Sequence, residues 1–476
     1  MVKHSVRNTT WDELEVGASA SLERICTAQD LILFAHVSGN RNPLMLPGES
    51  MTVAETDPIA PSLWVGSLVS AVMGNVLPGP GTLYRAQSFR FHKRVKPGDR
   101  LRIEARCTEK REKPIALFET KVLGLDGSLI VDGVAELEVP TKRIVVEPQE
   151  LPGLILDLQD HFARLVAAAK TLPPLPTVVV CPDDRHSLGG ALLSAAEGLI
   201  APILIGDAKR IRAAAAELGA DVTRVEIVDI ADPHDAAARA VALVFAGEAA
   251  AIMKGNLHSD ALLAEVVKKD GGLRSHRRIS HVFAVDAPTI DHLLFISDAA
   301  INIAPDLATK VDIVQNAIDL ARACGVAEPR VGLLSAVETV NPHIPSTLDA
   351  AALAKMAERG QIKGGIVDGP LAMDNAVDIA AAKTKGIVSL VAGRADVLIV
   401  PNLEAGNMLA KEFTFVAKAE AAGLVLGARA PVMLTSRADN DRARLGSCAL
   451  AQLYNYWRDM GQSAVSATPA VPQAAE

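Results

Sequence analysis

The stretch LTSRADN, residues 434–440, places a hydroxyl, a guanidinium and a carboxylate directly after the apolar run APVML. Ser436 could donate a hydrogen bond to an oxyanion or a leaving group, Arg437 could stabilise negative charge, and Asp439 could accept a proton. The structural alternative is helix capping, in which Ser436 or Asp439 accepts hydrogen bonds from the first amides of the next helix. The residue types leave both interpretations open.

Five further strand-like stretches in the second half of the chain also end in small, polar, Gly-rich segments. In open α/β sheets, ligands bind beyond the carboxyl ends of the strands. Each segment alone fits a capped turn as well as a site, but together they favour one cleft that holds a polar, phosphorylated ligand. The segments are KGNLHSD (254–260), SDAAINIAPD (297–306), SAVETVNP (335–342), DGPLAMDNA (368–376) and PNLEAGNM (401–408).

Several side chains within or beside these segments are candidate substrate contacts. Arg277 and Arg278 precede the apolar run ISHVFAVD and could hold a phosphate, because a guanidinium suits bidentate phosphate binding; the alternative is a solvated pair. Lys254 and His258 are weaker candidates, since an exposed lysine or a capping histidine explains them equally well. The acidic and amide candidates, which could line the cleft, order its loops or cap helices, are Asp298, Asn302, Asp374, Glu404 and Asn407.

The elements that must position these residues change character near residue 145. Residues 1–145 hold one helix-like apolar stretch (61–77) and then alternating strand patterns, which predicts an α+β unit with a long helix packed on an antiparallel sheet. Short apolar strands then alternate with Ala-rich helices, the βαβ pattern of an α/β unit with a mostly parallel sheet. We therefore predict a first domain over 1–145, a linker over 146–156, a second domain over 157–462 and a disordered tail over 463–476.

Composition limits the class of protein. The chain has 476 residues and a formal charge of −8, so no general electrostatic attraction to nucleic acid or an anionic membrane is expected. Its five scattered cysteines form no CxxC pair, which indicates neither a disulfide framework nor a metal site. The polar N-terminus lacks a signal-peptide core, and no apolar run reaches the length of a membrane span. A cytoplasmic protein is the default expectation.

The motifs SDAAINIAPDLATK, DGPLAMDNA, PNLEAGNMLAK and LTSRAD resemble those of the phosphate acetyltransferase and phosphate butyryltransferase family, over about 157–460. The segments LSAVETVNP, KGNLHSD and RRISH are more similar to the butyryltransferase-like branch. The resemblance implies two α/β lobes with a cleft between them. It also implies transfer of a short acyl group between coenzyme A and inorganic phosphate, with CoA as a substrate and no cofactor or metal.

The resemblance also implies residue roles and partners. The family's Ser-Arg pair at the reacting centre matches Ser436 and Arg437, whereas its catalytic Asp lies several residues further on. The nearest carboxylates, Asp439 and Asp441, do not match that spacing, so the general base stays open between them. The expected partners are the small molecules acyl-CoA, phosphate and acyl phosphate, together with other copies of the chain in a homo-oligomer.

Residues 10–140 resemble the MaoC-like dehydratases, which share the hot-dog fold of the (R)-specific enoyl-CoA hydratases. That family's motif is Ser-Gly-Asp-x-Asn-Pro-x-His, and this chain has Asn40 at the Asp position, Asn42 at the Asn position and Met45 at the His position. Because an amide and a thioether cannot exchange a proton near neutral pH, we predict that hydratase activity is lost. Two alternatives stay open: a bifunctional enzyme that uses other groups, and a non-catalytic acyl-CoA sensor.

Overall fold

The computed structural model describes residues 6–46, 58–147, 160–434 and 440–465. The chain divides into two compact units, Met1–Leu156 and Asp157–Glu476. Across the described ranges, no helix combines the length and the apolarity that crossing a membrane requires.

The first unit packs a helix on an antiparallel sheet, as the sequence pattern predicts. Its sheet has the strand order β2-β5-β6-β7-β3, with β4 on β7, and β1 pairs with β8. Its helices are α1 (Ala28–Ser38) and α2 (Ser62–Asn75), with a 3₁₀ turn at Pro43–Met45. Its strands are β1 (Val6–Arg7), β2 (Ser19–Ile25), β3 (Leu83–Gln87), β4 (Arg90–Phe91), β5 (Arg100–Lys110), β6 (Ile115–Gly124), β7 (Leu129–Glu138) and β8 (Val145–Val146).

Alternation of apolar and polar residues explains that packing. In β5, every second side chain from Leu101 to Cys107 is buried, and the residues between them are partly or fully exposed. Because side chains of a strand alternate between faces, this places all the apolar ones on one face of the sheet. Val69 and Val72 of α2 are buried in the same cluster as Leu101. The helix therefore covers the apolar face of the sheet.

The second unit alternates strands and helices, so it is an α/β unit. Its strands are β9 (Leu175–Val180), β10 (Ile200–Gly206), β11 (Glu226–Asp229), β12 (Ala251–Lys254), β13 (Ser280–Asp286), β14 (Leu294–Ser297), β15 (Arg330–Leu334), β16 (Ile366–Leu371), β17 (Val397–Ile399), β18 (Glu420–Leu426) and β19 (Val432–Met433). Its helices are α3 (His161–Ala169), α4 (Arg185–Ala196), α5 (Ala208–Leu218), α6 (Pro233–Phe245), α7 (Ser259–Val266), α8 (Leu307–Ala323), α9 (Pro345–Glu358), α10 (Met373–Val377), α11 (Ile379–Thr384), α12 (Leu403–Lys411), which runs into a π-helix at Glu412–Val416, and α13 (Asp441–Met460).

One sheet runs through the whole second unit, in the order β11-β10-β9-β12-β19-β18-β13-β14-β17-β15-β16. Most neighbouring strands are parallel, but β13 is antiparallel to both β18 and β14, and β18 is antiparallel to β19. As a result, β14, β15, β16 and β17 run opposite to β9, β12 and β19. We call the edge beyond Val180, Lys254 and Met433 the first edge, and the edge beyond Ser297, Leu334, Leu371 and Ile399 the second edge.

The central strands are buried on both faces, as expected for parallel strands covered by helices. Val178, Val179 and Val180 of β9 are all fully buried, and half of the residues of α13 are buried. Acidic or amide residues begin many of the helices; for example, the Asp184 carboxylate accepts hydrogen bonds from the first amides of α4.

The ends of the two units differ from the predicted domain bounds. Strand β8 extends to Val146 and pairs with β1, so the first unit includes a residue that was assigned to the linker. At the other end, the Ser463 hydroxyl donates a hydrogen bond to the Ala323 carbonyl at 2.8 Å, and Val465 packs against the core. Residues 463–465 are therefore ordered rather than part of a disordered tail, and residues 466–476 lie outside the described ranges.

Candidate active site

The polar segments predicted to share one cleft follow strands of two opposite directions. The segment 254–260 follows β12 and lies at the first edge, where β19, the strand that precedes 435–439 in the chain, also ends. The segments 297–306, 335–342, 368–376 and 401–408 follow β14, β15, β16 and β17 and lie at the second edge. These four segments therefore follow strands that run opposite to β12 and β19, because β13 and β18 reverse the strand direction, and the single cleft stays a prediction.

The first edge contains a topological switch point between β9 and β12. From β9 the chain crosses through α4 to β10 on one side, whereas β12 lies on the other side of β9 and continues into α7. This strand order is that of a topological switch point, the place where open α/β sheets bind ligands. The segment 435–439 follows β19, which is the next strand after β12.

A very close backbone approach joins the two loops at this switch point. The backbone amide of Gly255 donates to the Val180 carbonyl at 2.8 Å, and that of Asn256 donates to the Cys181 carbonyl at 2.7 Å. A Cβ atom on Gly255 would lie 2.5 Å from both carbonyl oxygens, so only glycine fits there. Burial raises the pKa of Cys181 to about 11, so its thiol is not a nucleophile at neutral pH.

A buried carboxylate fixes the loop after β12. The Asp183 side chain, 9% exposed, accepts a hydrogen bond from Asn256 Nδ2 at 2.9 Å and forms an ion pair with the Arg210 guanidinium at 3.0 Å. The ammonium group of Lys254 lies 3.2 Å from the Gly255 carbonyl, so it folds back on its own loop. Within the described residues, no group of three His, Cys, Asp or Glu side chains could hold a metal ion.

The three predicted catalytic residues, Ser436, Arg437 and Asp439, lie outside the described residues. The structure fixes the points on either side of them: Leu434 packs against the core, and the Asn440 side chain accepts a hydrogen bond from the Ala443 amide at the start of α13. The segment therefore connects β19 at the first edge with the amino end of a long helix.

The first turn of α13 adds two charged groups near this segment. Asp441, the alternative general base, is exposed, and its carboxylate lies 4.0 Å from the Arg444 guanidinium. Arg444 is only 6% exposed, and its side chain packs against Gly190 of α4, where a Cβ atom would lie 2.5 Å from Cδ of Arg444. The first turn of α13 thus places a buried positive charge against the middle of α4.

At the second edge, the segments 298–306 and 401–408 contact each other. The Leu403 amide donates to the Ile303 carbonyl at 3.0 Å, and the side chain of the predicted site residue Asn407 donates to the Ala299 carbonyl at 3.2 Å. Gly406 lies against the first of these loops, because a Cβ atom there would be 2.5 Å from the Asp298 carbonyl. These contacts hold the two loops against each other.

Asp298 organises its own loop. Its carboxylate is 2% exposed, and its Oδ1 accepts from the backbone amides of His281, Ala300 and Ile301 at 3.0–3.2 Å. Its Oδ2 accepts from the backbone amide and the side-chain amide of Asn302, at 2.9 and 2.6 Å. All the acceptor sites are occupied, so Asp298 and Asn302 stabilise the loop from within.

The predicted arginine pair also lies at the second edge, just before β13. Arg277 donates to the Asp319 carboxylate at 2.5 Å, and Arg278 pairs with Asp306 at 3.1 Å. Arg277, Arg278 and Asn302 line one pocket there. The structure therefore brings three predicted binding residues together around one pocket at the second edge.

The remaining predicted residues lie on the outside of the second edge. Asp374 pairs with Lys385 at 3.1 Å, and the same ammonium lies 3.2 Å from the Glu338 carboxylate. The backbone amide of Asn375 and the charge of Lys385 hold the pKa of Asp374 below its ordinary value. Glu404 is exposed in the first turn of α12, and no hydrogen bond joins it to a loop amide within the described ranges.

In the first unit, the altered motif folds into a compact turn. Gly39 ends α1 in the left-handed conformation, with a φ of 72°. The Asn40 side chain donates to the sulfur of Met45 at 3.4 Å, and its carbonyl oxygen accepts from the Asn42 amide at 3.1 Å. The two positions that would carry an acid and a base are thus in contact, but neither side chain can exchange a proton.

Comparison with known proteins decides the family. Residues 232–452 match the family described as Phosphate acetyl/butaryl transferase, and residues 13–123 match the MaoC like domain. A Rhizobium meliloti protein named phosphate acetyltransferase is 58% identical over 303 residues, which cover 64% of this chain and 96% of that protein. The chain belongs to the phosphate acetyl/butyryltransferase family.

Two further relatives agree with this assignment. A Clostridium beijerinckii phosphate butyryltransferase is 42% identical over 62% of this chain and 98% of its own length. The crystal structure of a branched-chain phosphotransacylase from Enterococcus faecalis matches 59% of this chain and 99% of its own, with 29% identity and a TM-score of 0.51. The predicted fold class, a hot-dog domain followed by an α/β phosphate acyltransferase domain, is confirmed.

In this phosphate acyltransferase, sequence reasoning missed the residues that build the first-edge switch point. Asp183 lies three residues after Val180, the last residue of the apolar run TVVV, and therefore satisfies the same strand-end criterion as the predicted segments. Its partners Asn256 and Arg210 come from other elements, and only the folded sheet shows that they meet. The switch point itself depends on strand order, which the sequence pattern does not give.

Proposed function

We propose that the second unit transfers a short acyl group between CoA and inorganic phosphate at the first edge of its sheet. The observation that carries the proposal is the close similarity to a phosphate acetyltransferase over 96% of that relative's length. The topological switch point supports the placement, as does β19, which ends at the same edge directly before the segment 435–439 in the chain. The acyl groups named in the relatives, acetyl and butyryl, favour a short chain.

The chemistry requires three functions. A phosphate oxygen attacks the thioester carbonyl carbon, a tetrahedral oxyanion forms, and the carbon–sulfur bond breaks to give acyl phosphate and the CoA thiolate, which takes up a proton. We assign oxyanion stabilisation to Arg437 and a hydrogen bond to the oxyanion or the sulfur to Ser436. Asp439 is our first choice for the base that deprotonates CoA in the reverse direction, because a thiol with a pKa of roughly 8.5 is mostly protonated at neutral pH.

The decisive experiment measures phosphate-dependent thiol release from acetyl-CoA and butyryl-CoA with the full chain. All five cysteines are buried, so a thiol reagent reports CoA rather than the protein. Release that requires phosphate supports the transferase, whereas binding without turnover would establish the sensor alternative. Ser436→Ala should lower the rate, and Ser70→Ala, at an exposed position on α2, is the matched control.

We propose further that the first unit has lost hydratase activity, on the basis of the contact between Asn40 and Met45. One observation favours the bifunctional alternative: His92 pairs with Asp132, and His92 lines a pocket of about 260 Å³ together with Ser62. Hydration of crotonyl-CoA by the full chain, compared with His92→Ala, separates the two. No hydration supports the loss, and hydration that His92→Ala removes would establish a second active site.

We propose that the enzyme needs no cofactor, works in the cytoplasm and forms homo-oligomers. CoA enters as a substrate, and the family resemblance favours an oligomer. Light scattering of the purified chain tests the oligomeric state, and activity after dialysis against a chelator tests the independence from metals.

A further inference from the structure

A buried histidine attaches the amino end of α3 to the sheet. The side chain of His161, the first residue of α3, is 8% exposed, and its Nδ1 lies 2.9 Å from Oδ1 of Asp286 at the end of β13. Its Nε2 lies 3.2 Å from the carbonyl oxygen of Asp291, in the loop between β13 and β14. An ionised carboxylate and a carbonyl oxygen only accept hydrogen bonds, so both ring nitrogens have to donate. Only the doubly protonated imidazolium does this.

A second histidine, in the loop between β13 and β14, has the same arrangement. Nδ1 of His292 lies 2.9 Å from Oδ1 of Asp291, and its Nε2 lies 3.3 Å from the carbonyl oxygen of Ala395, two residues before β17. Asp291 therefore serves both imidazoles, one through its carbonyl group and the other through its carboxylate. The side chain of His292 is 38% exposed, so solvent screens its charge more and we expect His161 to have the larger effect.

The charges around His161 favour its protonated form. The hydrogen bond to Asp286 raises the pKa of His161, whereas burial and the charge of Arg164 lower it, and the first effect is the largest. The titratable and charged groups that face or adjoin this imidazole are Asp160 and Arg164 at α3, Asp286 of β13, Asp291 and His292 of the following loop, Cys324 after α8, Asp396 before β17 and Arg442 of α13.

A pocket of about 170 Å³ lies beside the two histidines and is lined by both. It is large enough to admit water. Because the partly exposed His292 lines it, the pocket reaches the surface. The imidazole of His161 can therefore exchange a proton with solvent while the second unit stays folded.

The first turn of α3 depends on these polar contacts. The helix has nine residues, and helices shorter than about 12–15 residues are marginal by themselves. The backbone amide of His161 also donates to Oδ2 of Asp286 at 2.9 Å. Loss of one ring proton leaves a nitrogen lone pair facing an acceptor oxygen, which weakens the attachment of the first turn. The apolar side chains that anchor the helix in the core are Phe162, Leu165 and Ala169.

The same turn is connected to the amino end of α13. The Arg442 guanidinium donates to the carboxylate of Asp160, which caps α3, at 2.7 Å and to that of Glu420, at the start of β18, at 2.8 Å. Helix α13 is the helix that follows the segment 435–439 in the chain. A change at the first turn of α3 therefore reaches the helix next to the proposed reacting residues.

We propose that His161 and His292 form a proton-dependent latch, which holds the first turn of α3 on the loop between β13 and β14 while both imidazoles are protonated. The latch loosens when His161 loses a proton, and through Arg442 this lowers the activity of the second unit. It is closed below about pH 6.5 and opens as the pH rises through the raised pKa of the folded state. The link to activity rests on the proposed transferase function.

Hydrogen exchange of the full chain between about pH 6 and 9, corrected for its intrinsic pH dependence, tests the latch. In the wild type, the first turn of α3 should lose protection as the pH rises. Asp286→Asn should shift this loss to lower pH, because the anion that favours the imidazolium is gone. His161→Asn should remove the pH dependence, since an amide does not titrate in this range. Constant protection in the wild type, or an unchanged pH dependence in His161→Asn, would overturn the proposal.

His234, an exposed histidine on α6, provides the control, and His234→Asn should exchange as the wild type does. NMR of the full chain with isotope-labelled histidine gives a second test that does not depend on the stability of a variant. The ring signals of His161 should titrate at a higher pH than those of His234. Titration of His161 at the same or a lower pH would contradict the latch.

The activity arm measures kcat for phosphate-dependent thiol release against pH. The wild type should lose activity over the pH range in which α3 loses protection, and His161→Asn should not show that loss. A loss that is equal in both, or absent from both, would overturn the link to activity. Hydrogen exchange and NMR need no turnover, so the latch is tested even if the transferase proposal fails.

Discussion

The two edges of the eleven-stranded sheet have the same topology and different chemistry. At the first edge, β9 and β12 are neighbours whose connections diverge; at the second, β15 and β17 are neighbours in the same way. The first edge carries a fixed network around Asp183 and leads into the segment 435–439. At the second edge, Asp298 and Asn302 satisfy each other and their own loop.

This difference shows that polar residues after strands have two distinct uses. A buried polar group must find hydrogen-bond partners, so many of these residues serve only to close the loop that contains them. Asp298 is the clear case, because its buried carboxylate has no acceptor site left for a ligand. Strand-end polarity therefore identifies loops that need explanation, and the hydrogen bonds decide which of them can bind a substrate.

The largest expected effect is a difference in kcat between a variant of Arg437 and a variant of Arg278. Arg437→Gln should lower kcat for thiol release by about 10²–10³-fold, because an oxyanion-stabilising donor is lost. Arg278→Gln should act on substrate affinity rather than on kcat. Steady-state kinetics of both variants measure this, with Arg359→Gln as the control. Equal losses of kcat would show that the reacting centre is shared between the edges.

The next largest effect is the loss of stability when the carboxylate of Asp298 or Asp183 is removed. Asp298→Ala leaves five donors without an acceptor and should destabilise the second unit by about 3 kcal/mol. Asp183→Ala removes only two contacts and should cost about half as much stability, while lowering activity more than Asp298→Ala does. Thermal unfolding together with thiol release checks both statements. A larger stability loss in Asp183→Ala would reverse the comparison.

The two ends of β13 should respond to pH in opposite directions. Asp286, 2.9 Å from His161, raises the pKa of that imidazole in the folded state. Protonated His161 therefore stabilises the fold fully below about pH 6.5, and this stabilisation is lost as the pH rises through the raised pKa. Burial lowers the pKa of His281, whose ring packs on Phe283, so stability is lost as the pH falls below about 6.5.

Thermal unfolding midpoints measured between about pH 4.5 and 8.5 test the two predicted pH dependences. His161→Asn should remove the loss on the alkaline side, and His281→Asn should remove the loss on the acidic side. Each variant is the other's control, because both replace a buried imidazole by an amide. A variant that shifts the whole curve without changing its slope would contradict the assignment for that histidine.

The smallest effect compares two matched helix caps. Asn440 caps α13 at the first edge and Asn402 caps α12 at the second, each by accepting a backbone hydrogen bond. Replacement of either by Ala should cost about 1 kcal/mol of stability. Only Asn440→Ala should also lower kcat, since that cap adjoins the segment 435–439. An equal effect of Asn402→Ala on kcat would remove the distinction between the edges.

The sequence by itself determined the two kinds of unit and the family. Alternating patterns in residues 1–145 require a half-buried antiparallel sheet, and short apolar runs separated by Ala-rich helices require a covered, mostly parallel one. The substitutions at Asn40 and Met45 were also readable directly, because they change the chemistry of single positions. These features depend on local periodicity and residue type, which the order of residues contains.

Only the tertiary structure decided which polar segments share an edge. Strand order and direction depend on pairing between residues far apart in the chain, and the antiparallel pairing of β13 with β14 and β18 gave β14 the direction opposite to that of β12 and β19. The parallel pairing of β9 with β12 brought Asp183 to Asn256. Such contacts arise when the chain packs, so no local pattern predicts them.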